Sequence, residues 1–250
     1  MGVWTWAAAG VRGTSHAKTG TRCQDAHAVA AVGESLCAMV SDGAGSASYG
    51  GQGAQLVCRT LMRHARVHFE RSRDAPSDDV VWSWIDDTRD RIGLAAEVRG
   101  LVPRDFSATL VAVLIGEKET SIIQVGDGVA ALLGDFGGGW SVPLWPAHGE
   151  YASATYFVTD DSQPQVRIER VADPINAIAL MSDGLERLAL NFSCKIPHDP
   201  FFNGMIAPLR SSTGDGRDAA LSRALAAYLD GDTVNARTDD DKSLILAVRR

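Results

Sequence analysis

Apolar positions along this chain follow two rhythms. Short, nearly continuous runs read as strands: "TWAAAGV", "AHAVAAV" and "LCAMVSD" near the start, then "ATLVAVLIG", "TSIIQVGD" and "VAALLGDF". "TYFVTD", "QVRIERV", "AIALMSD" and "SLILAVRR" complete the set. Each is bounded by Gly, Asp or Glu-Lys turns. Runs separated by so few residues must mostly pair antiparallel. The second rhythm is helical. "GGQGAQLVCRTLMRHARVHFERS" carries Leu56, Val57, Leu61 and Val67 near helical spacing. "SDDVVWSWIDDTRDRIGLAAEV" opens with Ser77 as N-cap and acids in its first turn, with Val81, Trp82, Ile85 and Ile92 along one side. "DGRDAALSRALAAYLDG" is alanine-rich and amphipathic. The helices come in blocks instead of alternating with strands, which predicts an α+β fold. The strands are too many for one open sheet, so two stacked antiparallel sheets with helices outside are expected. Residues 1–250 are read as one domain, and Pro197 to Arg217, rich in Pro, Gly and Ser, as a mobile flap or insertion.

Composition narrows the function. A chain of 250 residues buries an ample core. Its formal charge of -7 repels nucleic acid and anionic membranes, so neither is expected as a partner. Cys23, Cys37, Cys58 and Cys194 are scattered with no C-x-x-C pair, which predicts reduced thiols and a cytoplasmic location. "MGVWTWAAAG" lacks the basic flank and apolar core of a signal peptide, and no apolar stretch is long enough for a bilayer.

Four aspartates stand at the edges of apolar runs. Asp25 precedes a strand in "QDAHAV", and Asp42 ends one in "VSDGAGSA". Asp183 ends another in "LMSDGLE", and Asp240 precedes the last in "DDDKSLILAV". Asp before Gly is ordinary turn chemistry. Four such sites, two in near-identical "SDG" settings, point further, because strand ends of one sandwich can converge. Carboxylates packed together raise one another's pKa and call for positive charge between them. An oxygen-only donor set favours hard cations such as Mg²⁺ or Mn²⁺, and Gly43 leaves its carbonyl approachable as a ligand. The residues alone thus predict a two-metal hydrolytic site.

The ordered series "QDAH", "VSDGAGSA", "SATLVAVLI", "IQVGDGVAALL", "LMSDGLE" and "DDKSLILAV" resembles the bacterial branch of the metal-dependent type-2C serine/threonine protein phosphatases. The resemblance runs from about Gly10 to the C-terminus. It implies a four-layer α-β-β-α sandwich, two stacked antiparallel sheets flanked by helix pairs. It also implies hydrolysis of phosphoserine and phosphothreonine in proteins by a water activated between two Mn²⁺ or Mg²⁺ ions, without a covalent enzyme intermediate. On this resemblance Asp42 bridges the two metals and Gly43 offers its carbonyl to one. Asp183 and Asp240 hold the other, and Asp25 is a ligand directly or through water. Thr109 supports the site, and Asp127 of the "GDG" turn is structural. The partners implied are a phosphorylated protein substrate and a cognate Ser/Thr kinase.

The chain departs from the family pattern at several points. Arg187 stands where an acid tied to extra metal binding is frequent, so no third metal is expected unless Glu186 substitutes. Gly20 occupies the place of a phosphate-binding Arg, leaving Arg22 and Lys18 as nearby candidates. Gln24 replaces a frequent acid. Ala44 replaces the general-acid His of animal relatives, which leaves His16 as the candidate for proton donation or phosphate contact. Two alternatives follow: a catalytically weak binding or regulatory module, and a phosphatase for a small phosphorylated metabolite. Other signals are weaker. His64 and His68 lie at i, i+4 without a third ligand, which predicts a solvated or helix-end role. No x5-R loop follows a cysteine, "GDFGGGW" lacks the Lys-Ser/Thr of a P-loop and reads as a hairpin turn, and Trp82 and Trp84 read as packing residues. Ser15 and His16, being adjacent, point apart and make no nucleophile pair.

Overall fold

The computed structural model describes residues 3–134, 138–147, 155–161 and 163–250. In chain order it runs β1 (Trp4–Val11), α1 (Thr14–Thr19), β2 (Ala26–Val32), β3 (Ser35–Ser41), α2 (Gly50–Phe69) and α3 (Asp78–Glu97). Then come β4 (Leu110–Ile115), β5 (Thr120–Val125), β6 (Val129–Gly134), β7 (Arg167–Val171), β8 (Ile175–Met181), α4 (Glu186–Ala189), β9 (Leu190–Asn191) and β10 (Ile196–Pro197). The chain ends with α5 (Asp199–Ser211), β11 (Gly216–Arg217), α6 (Ala219–Leu229), α7 (Asp232–Asn235) and β12 (Lys242–Arg249).

Two five-stranded sheets result, ordered β11-β1-β12-β8-β6 and β2-β3-β4-β5-β7. The expected α+β sandwich of four layers is what the structure shows. Its layering explains why the strands read as unbroken apolar runs: both faces of each sheet are covered. In β3, Leu36, Ala38 and Val40 join Trp4, Val111, Ile178 and Ile245 in the core between the sheets. Cys37 and Met39, one residue out of phase, pack under α2 and α3 with Val57, Leu61, Ile85 and Phe106. In β12, Leu244 and Leu246 face α5 and α6, meeting Phe202, Ile206, Leu225 and Leu229. The α2–α3 pair is clamped at Asp87, whose carboxylate accepts from Arg91 Nε, His64 Nε2 and Arg63. His64 also stacks on Trp84, and His68 Nε2 lies 2.9 Å from the Asp74 carbonyl oxygen. Both histidines therefore serve the helix pair.

One local expectation, a strand at "TYFVTD", is corrected, and two others gain detail. Residues 197–217 hold α5, which buries Phe202, Ile206 and Leu209. Proline and glycine content masked the helical spacing of those three residues, and Pro200 sits in the first turn, where no backbone donor is needed. "TYFVTD" is not a strand: the Asp160 carboxylate accepts from Phe157 N at 2.8 Å and closes a turn. Ser77 caps α3 by position, without a side-chain hydrogen bond. The turn expected in "GDFGGGW" includes residues 135–137, which lie outside the described residues; Leu132 and Ser141 on either side bridge antiparallel.

Candidate metal-binding site

Strand register sends the candidate acids to one end of the sandwich. β2 begins where β3 ends, with Ala26 opposite Ser41, so Asp25 and Asp42 flank one rung. β4 pairs with β3 at Val111 and Val40, which brings Thr109 to Asp42. The pairing is reciprocal: Asp42 N donates to Thr109 Oγ1 at 3.0 Å and Thr109 N to the Asp42 carbonyl at 2.8 Å. In the other sheet β8 ends where β12 and β6 begin, with Met181 opposite both Leu244 and Val129. Asp183, Asp127 and residues 239–241 follow from that register.

The carboxyl groups feel one another. Burial raises Asp42 well above the ordinary carboxyl range, and Asp25, Asp183 and Asp240 raise it further. Asp183 is raised to about 8, first by burial, then by Asp127, Asp240, Asp25 and Glu186. Asp25 is raised to about 6 by burial, opposed first by the hydrogen bond from Ser182. Ser182 Oγ donates to Asp25 Oδ2 at 2.7 Å and accepts from Ser243 N at 3.0 Å. Asp25 Oδ1 is buried without a donor.

The donor set suits a hard divalent cation. It is all oxygen, it concentrates negative charge, and one buried carboxylate oxygen awaits a partner. Among the described residues no group of three or more His, Cys, Asp or Glu closes into a cage by itself. The acids are neighbours in charge rather than a finished coordination sphere. The Gly43 backbone is tightly enclosed: a Cβ there would lie 2.2 Å from the Gly50 carbonyl carbon.

The acid at the start of β12 that is most buried is Asp241, 2 % exposed, whereas Asp240 is exposed. Asp241 accepts from Gly13 N and Gln24 N, each at 2.6 Å. His16 Nδ1 lies 3.0 Å from Asp241 Oδ2, near but off the axis of a hydrogen bond. Asp241 thereby ties the loop before Asp25 to the strand after Asp240. Sequence reasoning missed this residue, as it missed Ser182 and Lys242, because three adjacent acids, the lysine after them and a lone serine carry no signal of which side chain turns inward. Asp127 is buried and is the first charged influence on Asp183, so the "GDG" turn belongs to the acidic group. Lys18 and Arg22 are exposed near α1, without a carboxylate within ion-pair distance among the described residues. Ser15 Oγ bonds the Asp239 carbonyl, away from His16. Arg187 is exposed, and Glu186 is half-buried. Cys23 offers no nucleophile: burial, then the Asp25 and Asp241 charges, push its thiol up to about 12.

Residues 12–230 match the family model described as Protein phosphatase 2C. "Serine/threonine-protein phosphatase 3" of Escherichia coli (strain K12) is 35% identical over 252 residues, covering 98% of each chain. PppA, described as a key regulatory component of T6SS in Pseudomonas aeruginosa, superposes over the whole of both chains with TM-score 0.67 at 18% identity. The catalytic domain of serine threonine protein phosphatase PstP, solved in complex with 2 manganese ions, gives 0.64 at 17% identity over 100% of this chain and 99% of that one.

Proposed function

This chain belongs to the protein phosphatase 2C family and is a serine/threonine phosphatase, and on that premise we propose that it removes phosphate from phosphoserine and phosphothreonine in proteins using two Mn²⁺ or Mg²⁺ ions. The ligands assigned are the carboxylates of Asp25, Asp42, Asp183 and Asp240 and the carbonyl of Gly43. When bound, the ions supply Lewis acidity, lowering the pKa of water and neutralising phosphate oxygens. The observation that carries this reading is the shared elevation of Asp42 and Asp183, with the orphaned Asp25 Oδ1 between the sheets' ends. The manganese ions of the PstP domain support the choice of metal.

The chain's own groups divide the work. Thr109 fixes the backbone of Asp42 from both sides, so its carboxylate is aimed by a rigid strand end. Ser182 orients Asp25, and Asp241 holds the backbone of Gln24 and of Gly13, just before the helix that carries His16. Lys18 and Arg22 are the cations assigned to the substrate phosphate, with His16 held beside them. Asp127 joins Asp183 as a neighbouring acid. The substrate is a phosphoprotein, so a Ser/Thr kinase is the opposing partner. Among the described residues no helix is long and apolar enough to cross a membrane, and we assign the protein to the cytoplasm.

The test is hydrolysis of a phosphothreonine peptide, with Mn²⁺ titrated into chelator-treated protein. Activity is expected to depend on Mn²⁺ and to fall at least about 100-fold in Asp42→Asn. Activity retained in chelator refutes the metal requirement. Equal turnover of small phosphorylated metabolites would shift the substrate class away from proteins.

A further inference from the structure

Lys242 is a lysine with 0% exposure at the start of β12. Its Nζ donates to Asn235 Oδ1 at 2.6 Å, and Asn235 Nδ2 donates to the Asp230 carbonyl at 2.8 Å. Asn235 ends α7, and residues 236–241 between the two partners form the loop that carries Asp240. The side-chain bond therefore closes that loop at its base. The lysine stem also lies close to the other ligand-bearing turn: a Cβ on Gly184, next to Asp183, would stand 3.5 Å from Lys242 Cγ. A buried ammonium is costly, and an apolar side chain of similar length would fill the space without that cost. Lys242 is not among the leading influences on the Asp183 carboxyl, which are burial and four other acids. What the geometry shows for Lys242 is a tie between the two turns.

We propose that Lys242 and Asn235 form a clip that fixes the Asp240 loop against the Asp183 turn and thereby sets the affinity of the site for divalent cations. Both are positioning residues that act through Asp240. The inference rests on the metal-site reading above.

The experiment measures Mn²⁺ binding to the full chain by calorimetry, alongside the Mn²⁺-induced rise in Tm, for wild type, Asn235→Ala, Lys242→Met and the double variant. Each single variant is expected to weaken Mn²⁺ binding about tenfold, the low end for residues supporting a metal ligand. The double variant is expected to match the singles, because either change opens the same clip. Activity lost at low Mn²⁺ should return at saturating Mn²⁺, separating positioning from a general folding defect. Asn235→Ala keeps the test valid if Lys242→Met fails to fold. Mn²⁺ affinity unchanged in Asn235→Ala, or losses that simply add, overturns the clip. A wild-type chain that binds no Mn²⁺ overturns the parent reading instead.

Discussion

Gly184 gives the sharpest test of how the site is built. It follows Asp183, and a Cβ placed there would lie 2.0 Å from the Asp241 carbonyl oxygen, where ordinary contact begins at 3.4 Å. The obstructing atom is backbone, so no side-chain rotation relieves it. Gly184→Ala must therefore push the two turns apart by about 1.4 Å, the gap between those separations. Overpacking of this kind costs about 1–3 kcal/mol. For a domain of this size that lowers Tm by about 2–12 °C. The larger effect is on chemistry, because a displacement of about 1 Å can cost about 100-fold in rate. Hydrolysis of a phosphothreonine peptide at saturating Mn²⁺ is the assay, with kcat/KM and Tm read together. Gly45→Ala is the matched control: it lies in the loop after Asp42 and its Cβ would meet nothing within 4 Å. Gly45→Ala should stay within about twofold of wild type, as for a surface substitution. If Gly184→Ala behaves like Gly45→Ala, the two turns are not held rigidly together.

Other predictions test the electrostatics and supports. Asp183 is held near 8, far above the ordinary carboxyl value of about 4. The stability contributed by its protonated form is complete below about pH 4 and is lost as pH rises through about 8. In chelator, Tm should fall between pH 5 and pH 9, and Asp183→Asn should flatten that fall; identical profiles in the two proteins refute the assignment. Asp87 is lowered to about 2 by its bonds to Arg91 and His64, so its contribution holds above the ordinary value and fades as pH falls through about 2. Because the cluster is largely exposed, Asp87→Ala should cost only about 0.5–1 kcal/mol, less in high salt, which urea unfolding at two ionic strengths would check. Ser182→Ala removes the donor to Asp25 and the acceptor of Ser243 N and should cost about 1–3 kcal/mol by the same unfolding assay; no change would show that water replaces the hydroxyl.

The sandwich was legible because both faces of each sheet are covered, so the strands announce themselves as apolar runs and the helices by their spacing. The aspartates were legible for the same reason: a charge directly abutting an apolar strand must lie at its end. Register then did the rest, since the hairpin of β2 and β3 fixes Asp25 beside Asp42. What stayed hidden depends on which way one side chain turns. In "DDDKS" the sequence cannot show that Asp241 and Lys242 point inward while Asp240 stays exposed. The helix at Asp199–Ser211 was obscured because its prolines outweighed its three buried apolar residues in a composition-based reading. The role of Ser182 is hidden in the sequence, since a lone serine before aspartate carries no periodic signal.

The treatment of the buried acids separates structure from function. Asp241 is supplied with two backbone donors at 2.6 Å. Asp42 and Asp183, a few residues away in space by register, are raised by burial and by their acidic neighbours. Asp25 stands between these cases, with Ser182 on one oxygen and none on the other. A fold that needed all these carboxylates only for stability would gain by satisfying each of them, as it satisfies Asp241. Donors are provided where a loop must be held, and of these four acids it is Asp25 that keeps a buried oxygen without one. That asymmetry is the physical case for a cation at Asp25, Asp42 and Asp183, and it predicts opposite metal responses. Asp241→Asn should destabilise the chain with and without Mn²⁺, whereas Asp42→Asn should raise Tm in chelator and abolish the rise that Mn²⁺ produces. Thermal unfolding of both variants at several Mn²⁺ concentrations decides, and an Asp42→Asn protein that Mn²⁺ stabilises as fully as wild type would refute the distinction.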